Sequence, residues 1–167
     1  MRGADRKAEI LDAAVARIVQ LGLEGLRIRD VAQAVGINNA TLIHHFPTKA
    51  ALVTAIVHRF LASFSVAGGL PDGGLLEDRL EAYVKLRRAQ MLRDPDSFIV
   101  FNELMVLARR DDDVRSLMAR PQDYWRDYLA GVCRDAGLDP AAALERADRC
   151  RRELLGMSLE LCIARAD

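Results

Sequence analysis

No apolar run in this 167-residue chain approaches the roughly 18 residues that a helix needs to cross a bilayer. The opening residues Met1 to Lys7 are charged, and no pure apolar core follows them, so no secretory signal is expected. An excess of one charge is missing too. Lys plus Arg and Asp plus Glu both number 24, so overall charge points to no class of partner. Cysteine is scarce: Cys133, Cys150 and Cys162 are odd in number, far apart and without a Cys-x-x-Cys pair. They read as free thiols in a reducing cytoplasm rather than as a disulfide framework. No strand alternation, internal repeat or low-complexity tract is found. Nucleophile–base sets, phosphate loops and metal-ligand spacings are missing as well. The expectation is therefore a soluble cytoplasmic protein that is not an enzyme, carries no metal or cofactor and does not enter the membrane.

What is present begins with apolar residues, 51% of the chain, ample for a packed core. Charge is unevenly spread. Residues 1–60 carry a net +3 and all three histidines, and the remainder carries −3. That split suits a nucleic-acid module joined to something else. The most organised stretch is Ile28 to Leu52. Val31, Ala32, Val35, Ile37, Leu42 and Phe46 are spaced as two short helices folded against each other. Gly36 sits where the first must end, because a left-handed C′ residue costs least without a Cβ. Asn38 then offers a side-chain oxygen to cap the second. The outer face of that second helix presents Asn39, Ala40, Thr41, His44 and His45, small or polar, with Lys49 close by. A helix-turn-helix offers such a face to a major groove. His44 and His45 point about 100° apart and have no third ligand nearby, so they do not form a metal site.

The rest of the chain reads as helices. Ile10, Leu11, Ala14, Ile18 and Leu21 recur at helical spacing up to Gly22, which ends the first helix. Arg2, Arg6 and Lys7 ahead of them read as a flexible basic arm. The second helix is expected over about Ile28 to Ala34 and the third over about Asn39 to Phe46. Pro47 stops the third, and Thr48 caps a fourth that carries Leu52, Ile56, Val57, Phe60, Leu61 and Phe64. The fourth runs to the breaker cluster Gly68 to Gly74 and is read as the connector between two modules. Beyond it come Leu76 to Met91, a nearly all-apolar helix at Phe98 to Ala108, a helix over Val114 to Val132 that Pro121 kinks or splits, and a last helix. Asp139 caps that last helix, with Pro140 in its first turn. The chain stops at Ala164-Arg165-Ala166-Asp167 without a cap or breaker, the pattern of a shortened chain or of a helix packed on a partner.

Residues 6 to about 55 resemble the N-terminal domain of the tetracycline-repressor (TetR) family of bacterial transcription regulators. The resemblance rests on Ile10-Leu11-Asp12-Ala13-Ala14, Gly22, Arg29-Asp30-Val31-Ala32, Val35-Gly36-Ile37, Thr41-Leu42, His44-His45-Phe46-Pro47-Thr48-Lys49 and Leu52. A bare helix-turn-helix pattern is easily matched by chance, whereas this combination is specific. The chain departs from the family at Arg27, where Thr or Ser usually caps the second helix, and at Ile43, where Tyr usually contacts a phosphate. Those departures keep a second reading open: a helical ligand-binding or scaffold protein with impaired DNA reading.

The resemblance implies an all-α fold, with an N-terminal three-helix helix-turn-helix DNA-binding domain at residues 1–47 and a C-terminal helical bundle for ligand binding and dimerisation at residues 48–167. It implies a homodimer that reads a palindromic operator on double-stranded DNA and is released from it by a small-molecule effector. Arg27, Arg29, Asn38, Asn39, Ala40, Thr41, Ile43, His44, His45 and Lys49 are the expected DNA-binding residues, with Lys49 on phosphate. Tyr83, Met91, Phe98, Phe101, Asn102, Met105, Trp125 and Tyr128 are candidates for a ligand pocket, mostly apolar with a few polar anchors. Trp125 and Tyr128 weigh most, because their polar ends want partners when buried. Glu103 is read as an anchor for a cationic ligand group or as the partner of a surface arginine. In the family the C-terminal helices form an intersubunit four-helix bundle. Leu144, Ala147, Arg151, Leu154, Leu155, Ser158, Leu161 and Cys162 would line it here.

Overall fold

The computed structural model describes residues 2–63 and 73–164. Among them every regular element is an α-helix: α1 (Arg2–Gly25), α2 (Ile28–Val35), α3 (Asn39–His45), α4 (Lys49–Ser63), α5 (Leu76–Arg93), α6 (Pro95–Leu107), α7 (Asp112–Asp135) and α8 (Pro140–Ala164). The expectations for Phe64, for Gly68 to Asp72 and for the last three residues lie outside the described residues. Arg6 and Lys7 do not form an arm. They sit within α1, where Arg6 Nη1 meets Glu9 at 2.7 Å one turn on.

The helix ends follow from local chemistry. α2 stops at Gly36, whose φ of 70° is left-handed. There Ile37 N–H donates to Ala32 C=O at 3.0 Å and Gly36 N–H to Gln33 C=O at 3.1 Å, the paired bonds that close a helix through a left-handed residue. Asp94 receives the Ser97 N–H at 3.3 Å and caps α6. Asp111 receives the Val114 N–H at 3.0 Å and caps α7. Asp139 Oδ1 receives both Ala141 and Ala142 N–H groups, at 3.0 and 3.1 Å, and caps α8. Each cap satisfies an amide that the helix itself cannot.

Gly22 ends the regular part of α1, as expected: its φ of 68° and ψ of 169° break the helix, and only a short turn to Gly25 follows. Of the two expectations for Pro121, a kink or a split, the split is not seen, since α7 runs from Asp112 to Asp135. One missing N–H is tolerated because buried residues hold the helix on both sides, Val114 and Met118 before it and Leu129, Ala130 and Cys133 after it.

The compact units do not follow chain order. One joins Met1–Phe64 to Ile99–Arg115, and the other joins Ser65–Phe98 to Ser116–Asp167. In the first, α1 packs on α2 and α4, and α2 packs on α3. Its interior is supplied by Ile10, Ala14 and Ile18 of α1, Val31 and Ala32 of α2, Leu42 of α3 and Leu52, Ile56 and Val57 of α4, all at most 1% exposed. In the second, α5 packs on α8. Leu80, Tyr83, Leu129, Ala130, Cys133, Ala143, Ala147 and Cys150 form its core, with Trp125, Tyr128 and Leu154 packed against them. Burial raises the Cys150 thiol to about 11 and moves Cys133 in the same direction, so both remain protonated packing residues.

Candidate functional site

The expected reading surface is built around one buried side chain. Leu42 is the only residue of the seven in α3 to be fully buried. The residues around it face outward by helical geometry. Asn39, Ala40, Ile43 and His44 are exposed, and Thr41 and His45 are half-buried. A helix this short is marginal by itself. Its start is fixed by Asn38, whose Oδ1 accepts the Thr41 N–H at 2.8 Å. Asn38→Ala should therefore cost about 1 kcal/mol, read as a lower midpoint in urea unfolding. A change within error would mean that the cap contributes nothing.

At the N-terminus of α2, Arg27 is extended and makes no side-chain cap bond. Its guanidinium turns back instead, donating to the Glu24 carbonyl and, at 3.4 Å, to that of Leu26. Arg29 is the freest of the expected cations, with a side chain 82% exposed and 3.7 Å from Asp30.

The most informative side chain is Lys49, the first residue of α4. Thr48 Oγ1 accepts the Ala51 N–H at 3.0 Å and caps that helix. A lysine at a helix N-terminus opposes the helix dipole. Here its Nζ is taken up by the Leu23 carbonyl, 3.0 Å away near the C-terminal end of α1, where the dipole favours a cation. Partial burial, and then the positive charge of Arg27, push the Lys49 ammonium below its usual range, with Glu24 opposing. Lys49 and Arg27 thus form a basic pair at the end of α1. An incoming phosphate would relieve their mutual repulsion.

The same peptide is held from its other side. Leu23 N–H donates to Glu103 Oε2 of α6 at 2.8 Å. At Gly22 the left-handed φ favours glycine, and a Cβ there would make ordinary contact with that oxygen at 3.5 Å. The break in α1 is therefore clamped, with Glu103 on its amide and Lys49 on its carbonyl. No ion pair among the described residues includes Glu103. Arg110, two turns on, instead meets Glu24 at 3.0 Å.

The expected pocket residues separate into groups. Tyr83, Trp125 and Tyr128 come together, with Tyr83 and Trp125 ring centres 5.6 Å apart and Trp125 and Tyr128 6.4 Å apart at 89°. Met91 and Phe98 are buried in the same unit. Phe101, Asn102 and Met105 belong to the other unit, where Phe101 stacks on Phe60 at 5.3 Å. Arg87, which the sequence reading passed over, lies beside Tyr83 and Trp125. None of the expected pocket residues lines the cleft of about 400 Å³ between α5 and α8. That cleft is walled by Glu77, Glu81, Glu153, Lys85, Arg88 and Arg146, and Arg146 Nη2 meets Glu77 Oε2 at 2.6 Å.

On α8 the interface candidates divide as well. Ala147 is fully buried in its own unit's core, and Ser158 is 1% exposed with its hydroxyl donating to the Leu155 carbonyl at 2.8 Å. Small residues permit close packing within a subunit as readily as between subunits, and here they serve the former. Leu154 also packs against that core, and Arg151 lies 3.4 Å from Asp148. Leu144 is exposed, and Leu155, Leu161 and Cys162 are half-buried. Leu159 and Ile163, at 55% and 67% exposure, add apolar surface outside the expected interface set. Their helical spacing from Leu155 is the signal that would have found them. Among the described residues no helix is long and apolar enough to cross a membrane, and no group of His, Cys, Asp and Glu is arranged to hold a metal ion.

Comparison with known proteins agrees with this geometry. Residues 10–56 match the profile of the bacterial regulatory proteins of the tetR family. The repressor KstR2 of Rhodococcus jostii is 36% identical over 78 residues, which span 43% of this chain but only 38% of that protein. The regulator CymR of Pseudomonas putida is 26% identical over 83% of this chain and 73% of its own length. A transcriptional regulator structure from Rhodococcus superposes with a TM-score of 0.77 at 21% identity, covering 96% of this chain and 85% of that one. A regulator from Saccharomonospora viridis, solved in complex with choline, superposes with a TM-score of 0.73 at 22% identity over 94% and 85%. These two share the fold. Residues 10–56, which include the helix of the expected reading face, thus match a domain of the tetR family of bacterial regulatory proteins.

Proposed function

We propose that this protein is a ligand-responsive DNA-binding transcriptional regulator, a repressor that leaves a palindromic operator when a small molecule binds its C-terminal helices. The observation that carries the proposal is α3 itself, a capped helix pinned by one buried leucine with a polar outward face. Two subunits would set two such helices in successive major grooves, with half-sites about one helical turn apart. Residues 1–47 would read DNA and residues 48–167 would bind the effector and the second subunit. The neighbouring fold that holds choline supports a small-molecule site in the helical part.

The effector would act by preferring a conformation that binds the operator less well. α4 is one route, since it begins at the reading unit. α6 is another: its first residues belong to one compact unit and its remainder to the other, and it carries Glu103 to the break in α1.

A gel shift with the DNA upstream of its own gene tests the proposal. Binding above random DNA at low salt is expected. Equal binding to every fragment would favour a helical ligand-binding or scaffold protein with impaired DNA reading. Two features support that second reading, the Arg27 guanidinium already engaged by carbonyls and the bare Ile43 at 47% exposure. Lys49→Ala should weaken binding equally on all sequences and flatten its salt slope by about one unit. An unchanged slope would remove Lys49 from the phosphate contacts. Light scattering should report a dimer, built on the exposed apolar residues of α8. A monomer at micromolar concentration would refute that assembly.

A further inference from the structure

Leu80, Tyr83, Arg87 and Met91 are the buried residues of α5, spaced by three, four and four, and so share one face. Three of them are apolar or aromatic. The fourth is a guanidinium, and Arg87 is only 6% exposed. Its Nε donates to Tyr83 Oη at 3.1 Å and its Nη1 to Gln90 Oε1 at 2.8 Å. Its central carbon lies 4.1 Å from the centre of the Trp125 ring and 5.1 Å from that of Tyr83. Nη2 is buried and has no acceptor. No ion pair among the described residues includes Arg87.

This arrangement is incomplete as it stands. Arginine keeps its charge under all conditions in which a protein folds, and a buried charge is ordinarily paired. Aromatic faces attract the cation but offer Nη2 no lone pair. Tyr83 has the complementary vacancy. Its oxygen accepts from Arg87, and among the described residues its own proton has no acceptor. Burial pushes that phenol upward, so the proton stays. Nη2 shares an edge of the guanidinium with Nε, so the two unused donors stand side by side.

We propose that Arg87 Nη2 and the Tyr83 hydroxyl form the receptor for a small monocarboxylate with an apolar, ring-sized body, seated against Trp125. Two donors and one fixed positive charge match one carboxylate. A phosphate dianion would leave a charge uncompensated among aromatic walls, and a cation would meet the guanidinium. Trp125 and Tyr128 are half-buried, while Tyr83 is 1% exposed, so the ring pair is the side through which a ligand enters. That this carboxylate is the effector rests on the regulator reading above; that the site takes an anion does not.

The chain contains a single tryptophan, and it is Trp125. Titrating the full chain with benzoate, hexanoate and benzamide while following tryptophan emission therefore reports on this site. A saturable change is expected with benzoate or hexanoate at a dissociation constant of about 1 mM or tighter. The neutral amide should bind at least ~10-fold more weakly, since it leaves the guanidinium uncompensated. Arg87→Met should fold with an equal or higher melting temperature, because an unpaired buried charge is gone, and should lose the response. Arg87→Lys keeps the charge without the planar fork and should retain a weakened response. Benzoate should raise the melting temperature of the native chain and leave that of Arg87→Met unchanged. Equal responses to acid and amide, a response that survives in Arg87→Met, or no saturation by either acid would overturn the proposal. So would an Arg87→Met variant that melts far lower while the native chain ignores benzoate, since Arg87 would then be a structural strut. Failure of the titration leaves the gel shift untouched, and failure of the gel shift leaves the titration standing. Release of bound DNA by benzoate links the two.

Discussion

Truncating Leu42 to alanine should cost about 2–5 kcal/mol of stability, as deletion of a fully buried leucine does, and should abolish operator binding. Leu42 touches no base. It faces away from the reading surface and is 0% exposed. Because α3 has seven residues and no other fully buried one, its attachment to α2 depends on this side chain and on Phe46 at its C-terminal cap, 6% exposed. Every 1.4 kcal/mol by which the docked helix is disfavoured lowers apparent DNA affinity about tenfold, so a loss of about 100-fold or more is expected. The neighbouring Ile43, 47% exposed, provides the control. Ile43→Ala should change stability by no more than about 0.5 kcal/mol. Urea unfolding and a gel shift on both variants decide the matter. Leu42→Ala with native affinity would mean that α3 is held in place by something other than its buried face. The α5–α8 unit should keep its own transition in either case, because its core of Leu80, Tyr83, Leu129 and Cys133 shares no residue with the first unit.

The parts of this architecture that could be read from the sequence are those set by chemistry within a few residues. Gly36, Asn38, Thr48 and Asp139 are end signals whose partners lie two to four positions away, and the structure makes those bonds. Gly22 breaks its helix for the same kind of reason, but the partners of the Leu23 peptide that follows lie 80 and 26 residues away, which no local pattern announces. Arg87 was within reach. It occupies the buried position between Tyr83 and Met91 in an otherwise apolar stripe, and the charge concealed what the spacing showed. Ala147 and Ser158 lie buried within the chain itself, and residue size alone does not say which neighbour is close. The aromatic group was partly legible. Tyr83, Trp125 and Tyr128 do meet, whereas Phe101 serves the packing of α4 and α6.

Glu103→Ala should reveal whether the clamp on α1 matters to DNA reading. The substitution leaves the Leu23 amide, in a residue 6% exposed, without its acceptor, at a cost of about 1–3 kcal/mol. Glu103→Gln retains a carbonyl oxygen and loses the charge, so roughly half of that loss is expected, as charge-assisted bonds are about twice as strong as neutral ones. The local readout is hydrogen exchange: the Leu23 amide should be protected in the native chain, less so in the Gln variant and least in the Ala variant. The functional readout follows from the other side of the same peptide. With its amide released, the Leu23 carbonyl no longer fixes Lys49, and the basic pair that Lys49 forms with Arg27 loses its geometry. Sequence-independent affinity should fall, while the preference between operator and random DNA is kept, because phosphate contacts position without reading bases. Lys49 and Glu103 hold one peptide, so their effects should not add. A double-mutant cycle of Lys49→Ala and Glu103→Ala should give a coupling of at least about 0.5 kcal/mol. Strict additivity, or a Leu23 amide whose exchange is the same in all three proteins, would show that Glu103 is only a surface carboxylate resting near the break in α1.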